Sequence, residues 1–184
     1  MRTSLKILLL LFIFSISTAC SSDDAAEDHI IAIKDDDVVA VVKGKEITLK
    51  DIRSLYFVED EDIPIMVEKF VQEEIMVLEA KSIGIDVSED LEWSMELVFP
   101  LGNSGNNEEF FEIQADYLNI TVEEYYDQYF KEKIERDAYV NQLINERLDF
   151  SNYDIDDSDL IEKEIYDFIA SLLEEYEADI EILL

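Results

Sequence analysis

Few side chains in this sequence could do covalent chemistry. There is one cysteine, Cys20, and one histidine, His29, against 46 aspartates and glutamates. A Ser-His or Cys-His pair needs an imidazole held beside its nucleophile. His29 lies in a polar, acidic run, Ser21 to Asp37, with no partner motif around it, and reads as a solvated residue. A zinc site needs Cys and His at set spacings, and a phosphate loop needs clustered glycines; neither pattern occurs. Asp154, Asp156, Ser158 and Glu162 offer oxygens of the kind calcium takes. Asp159, however, stands where an EF-hand loop needs glycine for its sharp turn. Carboxylates for acid–base work are too numerous for any pair to stand out. The residues therefore indicate no catalytic set, no metal site and no cofactor.

The charge narrows the partners. The formal net charge is −32, which argues against nucleic acid and against electrostatic docking on anionic lipid. A hydrophobic fraction of 48% sets the chain apart from a disordered acidic tail and supplies material for one core. Residues 1–19 read as a signal segment: Arg2 and Lys6 are basic, and Ile7 to Ile16 are apolar but too few to span a membrane comfortably. The following Ser17-Thr18-Ala19-Cys20 resembles a bacterial lipobox, with Ser17 where that motif usually has Leu. The resemblance implies lipidation of Cys20 and an extracytoplasmic, membrane-anchored protein. Ordinary cleavage leaving a free thiol is the other reading. Residues 20–37 then form an acidic tether, and residues 38–184 the folded domain.

The domain reads as mainly α-helical with a short strand at each end. Val38 to Val42 is β-branched and suits a packed strand, Gly44 suits a turn, and Thr48 with Asp51 suits the start of a helix over Leu49 to Phe57. A lone strand leaves its backbone groups unpaired, so it requires a partner, and Ala178 to Leu184 is the best one available. Between them lie helical stretches. Ile63, Val67, Phe70, Val71, Ile75 and Leu78 share one helix face, with Pro64 in its first turn and Gly84 at its stop. Ser88 is placed to cap a third helix, which Pro100 ends, and a fourth starts near Asn107. Thr121-Val122-Glu123-Glu124 is a capping box opening a long helix to about Leu148. Its face runs Val122, Tyr126, Phe130, Ile134, Ala138, Asn141, Ile144 and Leu148. A last amphipathic helix carries Leu160, Ile161, Ile165, Phe168, Ile169, Leu172, Leu173 and Tyr176.

Four stretches together resemble the SurA N-terminal domain family, which includes extracytoplasmic chaperones. They are Ala40 to Thr48, Leu78 to Ser88, Leu118 to Tyr126 and Ala178 to Leu183, and their order and spacing match as well. Many relatives in that family insert a parvulin prolyl isomerase domain between the long helix and the last one. Here only Asp149 to Asp157 separates them, too short for such a domain. Lys43 also departs from the asparagine often found before the turn glycine. The resemblance implies a chaperone body without an isomerase, binding unfolded or secreted polypeptides and performing no catalysis. The contrasting expectation is an interaction lipoprotein that docks one folded partner; a degenerate isomerase acting with another subunit is a third. For polypeptide binding, Trp93, Phe110, Phe111, Tyr125 and Tyr129 are the expected client-facing residues, while Tyr126 and Phe130 fall on the core stripe. The acidic surface fits solubility, adaptation to high salt, or cationic clients.

Overall fold

The computed structural model describes residues 33–102, 105, 107–151, 153 and 158–184. Cys20, His29, the leader 1–19 and residues 154–157 of the acidic loop lie outside these. The described chain is mainly helical, with one small antiparallel sheet that unites its two ends. Strand β1 (Val38–Val42) is the centre of that sheet, with β2 (Lys45–Thr48) on one side and β3 (Ile180–Ile182) on the other. Val42 faces Ile180 and Ala40 faces Ile182, so the expected pairing of the ends is present. Leu183 N–H donating to the Val39 carbonyl at 2.9 Å and Lys43 N–H donating to the Asp179 carbonyl at 2.8 Å extend the ladder.

Strand β2 departs from the sequence reading, which took Lys45 to Thr48 as the approach to a helix. Lys43 and Gly44 both adopt positive φ, +50° and +78°. Two successive left-handed residues make the tight hairpin turn whose twist matches paired strands. Once the chain turns that sharply, Lys45 to Thr48 has no course except alongside β1. Ile47 points into the core, and the charged Lys45 and Glu46 stay on the exposed edge, where they discourage pairing with another chain.

Helix α1 (Leu49–Leu55) begins at once. Thr48 Oγ1 accepts from Asp51 N–H at 3.2 Å, while the Asp51 carboxylate accepts from Thr48 N–H at 2.8 Å. The next free amides of that helix end find carbonyls upstream: Leu49 N–H donates to Asp37 and Lys50 N–H to Asp35. The Asp35 carboxylate also takes Arg53 at 2.8 Å, and Ile33 packs on the core. Ile33, Asp35 and Asp37 thus belong to the folded body, ahead of the boundary at Val38.

Helix α2 (Ile63–Ser82) runs beneath the sheet, its core face as the spacing indicates. It stops at Gly84, φ +83°, where Ile85 N–H donates back to the Ala80 carbonyl at 3.0 Å. Helix α3 (Ser88–Trp93) follows, but Ser88 does not cap it. The Asp86 carboxylate accepts both the Ser88 amide and its hydroxyl, at 3.0 and 2.6 Å, and so withdraws that hydroxyl from capping. A π-turn, Ser94–Val98, continues from α3. After α4 (Asn107–Leu118), the Thr121–Glu124 capping box opens α5 (Val122–Tyr125) as expected. A second π-turn, Tyr126–Phe130, links α5 to α6 (Lys131–Arg147), making one long helix. Helix α7 (Ser158–Glu175) then packs on α2 and leads to β3.

Among the described residues, buried apolar side chains form two clusters. The larger joins β1, Ile47, α1, α2, Leu143 of α6, and Leu172 and Tyr176. The smaller is an aromatic nest of Phe111, Tyr125, Tyr126 and Phe130, with Ala115 and Ile134. Phe111 sits at its middle, 4.6 Å from Phe130 and 5.7 Å from Tyr126 between ring centroids, both edge-to-face.

Candidate functional site

The π-turns decide what the aromatic nest leaves outside. A π-turn is wider than an α-turn by one residue, so it rotates the side chains beyond it. In the long helix this brings Tyr125, Tyr126 and Phe130 to the same side, against Phe111. The π-turn that continues α3 has Trp93 just before it and Leu97 within it, both exposed, 59% and 68%. Tyr126 ties the two turns together: its hydroxyl donates to the Phe99 carbonyl at 2.6 Å, with the Met95 carbonyl at 3.1 Å.

Between the end of α3 and the long helix runs an open groove of about 370 Å³. Phe99, Ile134 and Ala138 give it an apolar floor, with Trp93 standing at its edge. Asp90 and Asp137 flank it, and Asn141 supplies an exposed amide. The size lies within the usual range for ligand sites, about 300–1,000 Å³, though this groove is open to solvent. A second, smaller groove of about 240 Å³ is lined by Tyr56, Phe57, Val58, Ile113 and Tyr117, with Arg53 and Gln114. Beside it, a bond from Tyr117 and the Arg53 guanidinium hold the Asp35 carboxyl below its ordinary value. Burial and the bond to Asp35 push the Tyr117 phenol up to about 12.

The expected client-facing aromatics separate. Trp93 is exposed and lines the larger groove. Phe110 and Tyr129 are half-buried; Tyr129 stacks on Tyr125 with centroids 6.0 Å apart. Phe111 and Tyr125 are fully buried, so neither faces a client in this structure. Burial pushes the Tyr125 phenol up to about 12. An unbroken α-helix would carry Tyr125 off the core stripe; the π-turn after it returns the ring inward.

The structure also holds a charge cluster that the sequence did not announce. Arg136, on α6, is buried and donates through Nη1 to Glu74 Oε2 at 2.6 Å and through Nε to Glu73. Lys45 reaches Glu74 from β2 at 2.9 Å, and the Tyr56 hydroxyl donates to Glu73. The guanidinium also lies over the Phe70 ring, 4.5 Å from its centroid. Burial alone would raise the Glu74 carboxyl, but its bonds to Arg136 and Lys45 hold it below its ordinary value. With each carboxylate committed to a cation or phenol, the cluster bolts α2 to α6 and offers no free base. Among the described residues no group of His, Cys, Asp and Glu is arranged to hold a metal ion, and no helix is long and apolar enough to cross a membrane.

The groove residues were only partly legible. Ile134, Ala138 and Asn141 belong to the face read from the sequence, and a polar Asn141 in an apolar stripe is the signal that part of that face is not core. Phe99 and Asp137 carried no such mark. Comparisons with protein-family models, with curated proteins and with solved structures returned no match to this chain.

Proposed function

We propose that this domain binds non-native polypeptides reversibly and without covalent chemistry, as an extracytoplasmic, chaperone-like protein lacking an isomerase domain. The observation that carries the reading is the groove between α3 and the long helix, where an exposed tryptophan stands over an apolar floor. Such a surface receives apolar side chains of many sequences because it makes few directional demands. The resemblance to the SurA N-terminal domain family supports it, since the terminal strands meet and only residues 148–157 separate the long helix from α7. Lipidation of Cys20 would keep the domain near the membrane where secreted chains emerge.

The test is light scattering from several unrelated denatured proteins diluted into buffer with and without the full chain. Suppressed aggregation of most of them is the expected result. Suppression of none, with tight binding to one folded protein, would establish the dedicated-partner reading instead. A prolyl isomerisation assay should show no turnover above the uncatalysed rate, and measurable turnover would overturn the non-enzymatic reading.

A further inference from the structure

Charge separates the larger groove from the other concave surfaces. The hollow between α2 and the long helix is lined by Lys45, Lys81, Lys131 and Arg136 as well as by acidic residues. The smaller apolar groove contains Arg53. Among the described residues the lining of the Trp93 groove has no lysine or arginine, and its two charged members are Asp90 and Asp137. The whole chain carries −32, so its overall field has the same sign as theirs.

The disposition of these groups is specific. Asp90 lies on α3 one turn before Trp93, and its Oδ2 accepts from Gln142 Nε2 across the groove at 2.9 Å. That bond ties α3 to α6 and engages one of the two carboxylate oxygens. Asp137 lies on α6, its side chain 43% exposed, and accepts from Lys133 at 2.6 Å on its own helix. Lys133 itself turns toward the Tyr56 ring, 5.2 Å from its centroid, and is not part of the groove lining. Of the two aromatic side chains that line the groove with these carboxylates, Trp93 and Phe99, the exposed indole of Trp93 is the surface better suited to receive a cation.

We infer that the Trp93 groove selects basic-apolar polypeptide segments, a lysine or arginine held by Trp93, Asp90 and Asp137 while its apolar neighbours rest on Phe99, Ile134 and Ala138. This rests on the polypeptide-binding function above and adds the class of segment. Asn141 is placed to hydrogen-bond an extended client backbone along the groove. A cation arriving from solvent is drawn in by the field of the acidic chain, which raises its encounter rate. A segment rich in aspartate or glutamate is repelled by the same field.

Trp93 is the only tryptophan, so its fluorescence reports this groove directly. The experiment titrates the full chain with three tryptophan-free synthetic peptides that alternate leucine with arginine, glutamine or glutamate. The arginine peptide should shift the Trp93 emission saturably and bind about tenfold tighter than the glutamine one, with the glutamate peptide weakest. In about 0.5 M salt, where charges are screened beyond about 4 Å, the preference should shrink severalfold. The Asp90→Asn/Asp137→Asn variant should lose it in dilute buffer, with its unfolding midpoint confirming the fold.

Equal response to the arginine and glutamine peptides would overturn the charge selection and leave polypeptide binding standing. A silent Trp93 alongside suppressed aggregation would overturn this groove as the site while clients bind elsewhere. A silent Trp93 with no suppression removes both readings.

Discussion

Replacing Arg136 by methionine tests the account of how α2 and the long helix are held together. The guanidinium is 7% exposed and serves Glu74, whose side chain is 4% exposed, and Glu73. Methionine fills much of the space over Phe70 but leaves two acidic groups without their main cation. Removing one partner of a buried pair generally costs about 3–5 kcal/mol, because the remaining charge stays desolvated. Lys45 still reaches Glu74 at 2.9 Å, though it is 60% exposed and screened by water. That places the loss near the lower end, about 3 kcal/mol, a large part of the roughly 5–15 kcal/mol a domain possesses. For a domain of this size the unfolding midpoint should drop by roughly 6–12 °C. Urea unfolding followed by far-ultraviolet circular dichroism measures it directly, with an unchanged slope expected. Adding Glu74→Gln to Arg136→Met should recover part of the loss, since it removes a stranded charge. A single variant within about 1 kcal/mol of the parent, or a double variant no better than the single, would refute the reasoning.

Three further outcomes are expected. Glu74→Gln should alter the acid profile: a depressed carboxyl gives stability that is fully present above its ordinary value, 4.5, and lost as pH falls through the depressed one. The gap in stability between parent and variant, read from urea curves at several pH values, should therefore close below about pH 4.5, whatever relief of repulsion acid brings to the other carboxylates. Gly84→Ala should destabilise by roughly 1–2 kcal/mol through its left-handed backbone alone, since a Cβ there would have nothing within 4 Å; Gly84→Asn should lose less by the same assay. Tyr126→Phe should lose about 1 kcal/mol and speed amide exchange over Ser94–Val98, because its hydroxyl bonds the carbonyl of Phe99, the residue whose N–H closes that turn on Ser94.

The parts of the fold that were legible rest on local chemistry or on an accounting of backbone groups. Thr121 and Glu124 cap a helix because both ends of the box lie within four residues. Gly84 stops one because few other residues tolerate its φ. The meeting of β1 with the C-terminal strand follows from the need to pair a buried strand. What stayed hidden depends on neighbours distant in sequence. Arg136 sits in Lys-Glu-Lys-Ile-Glu-Arg-Asp, which reads as a solvated face; only Glu73 and Glu74, more than 60 residues earlier, make it a buried one. A uniform 3.6 residues per turn puts Tyr125 outward, and the π-turn breaks that spacing. Trp93 alone among the expected client-facing residues is both exposed and set in a groove, at the junction of α3 with its π-turn.

The sheet also has a mechanical consequence. Because β1 and β3 run antiparallel, the residues leading into β1 and those leaving β3 emerge from the same edge of their ladder, beside the Ala40–Ile182 pair. A pull on the two ends would therefore load one hydrogen bond after another, as a zipper opens, and never the whole row in shear. The domain should yield at low force when stretched from its ends, β3 peeling away first, while α2 and the long helix remain bolted through Arg136.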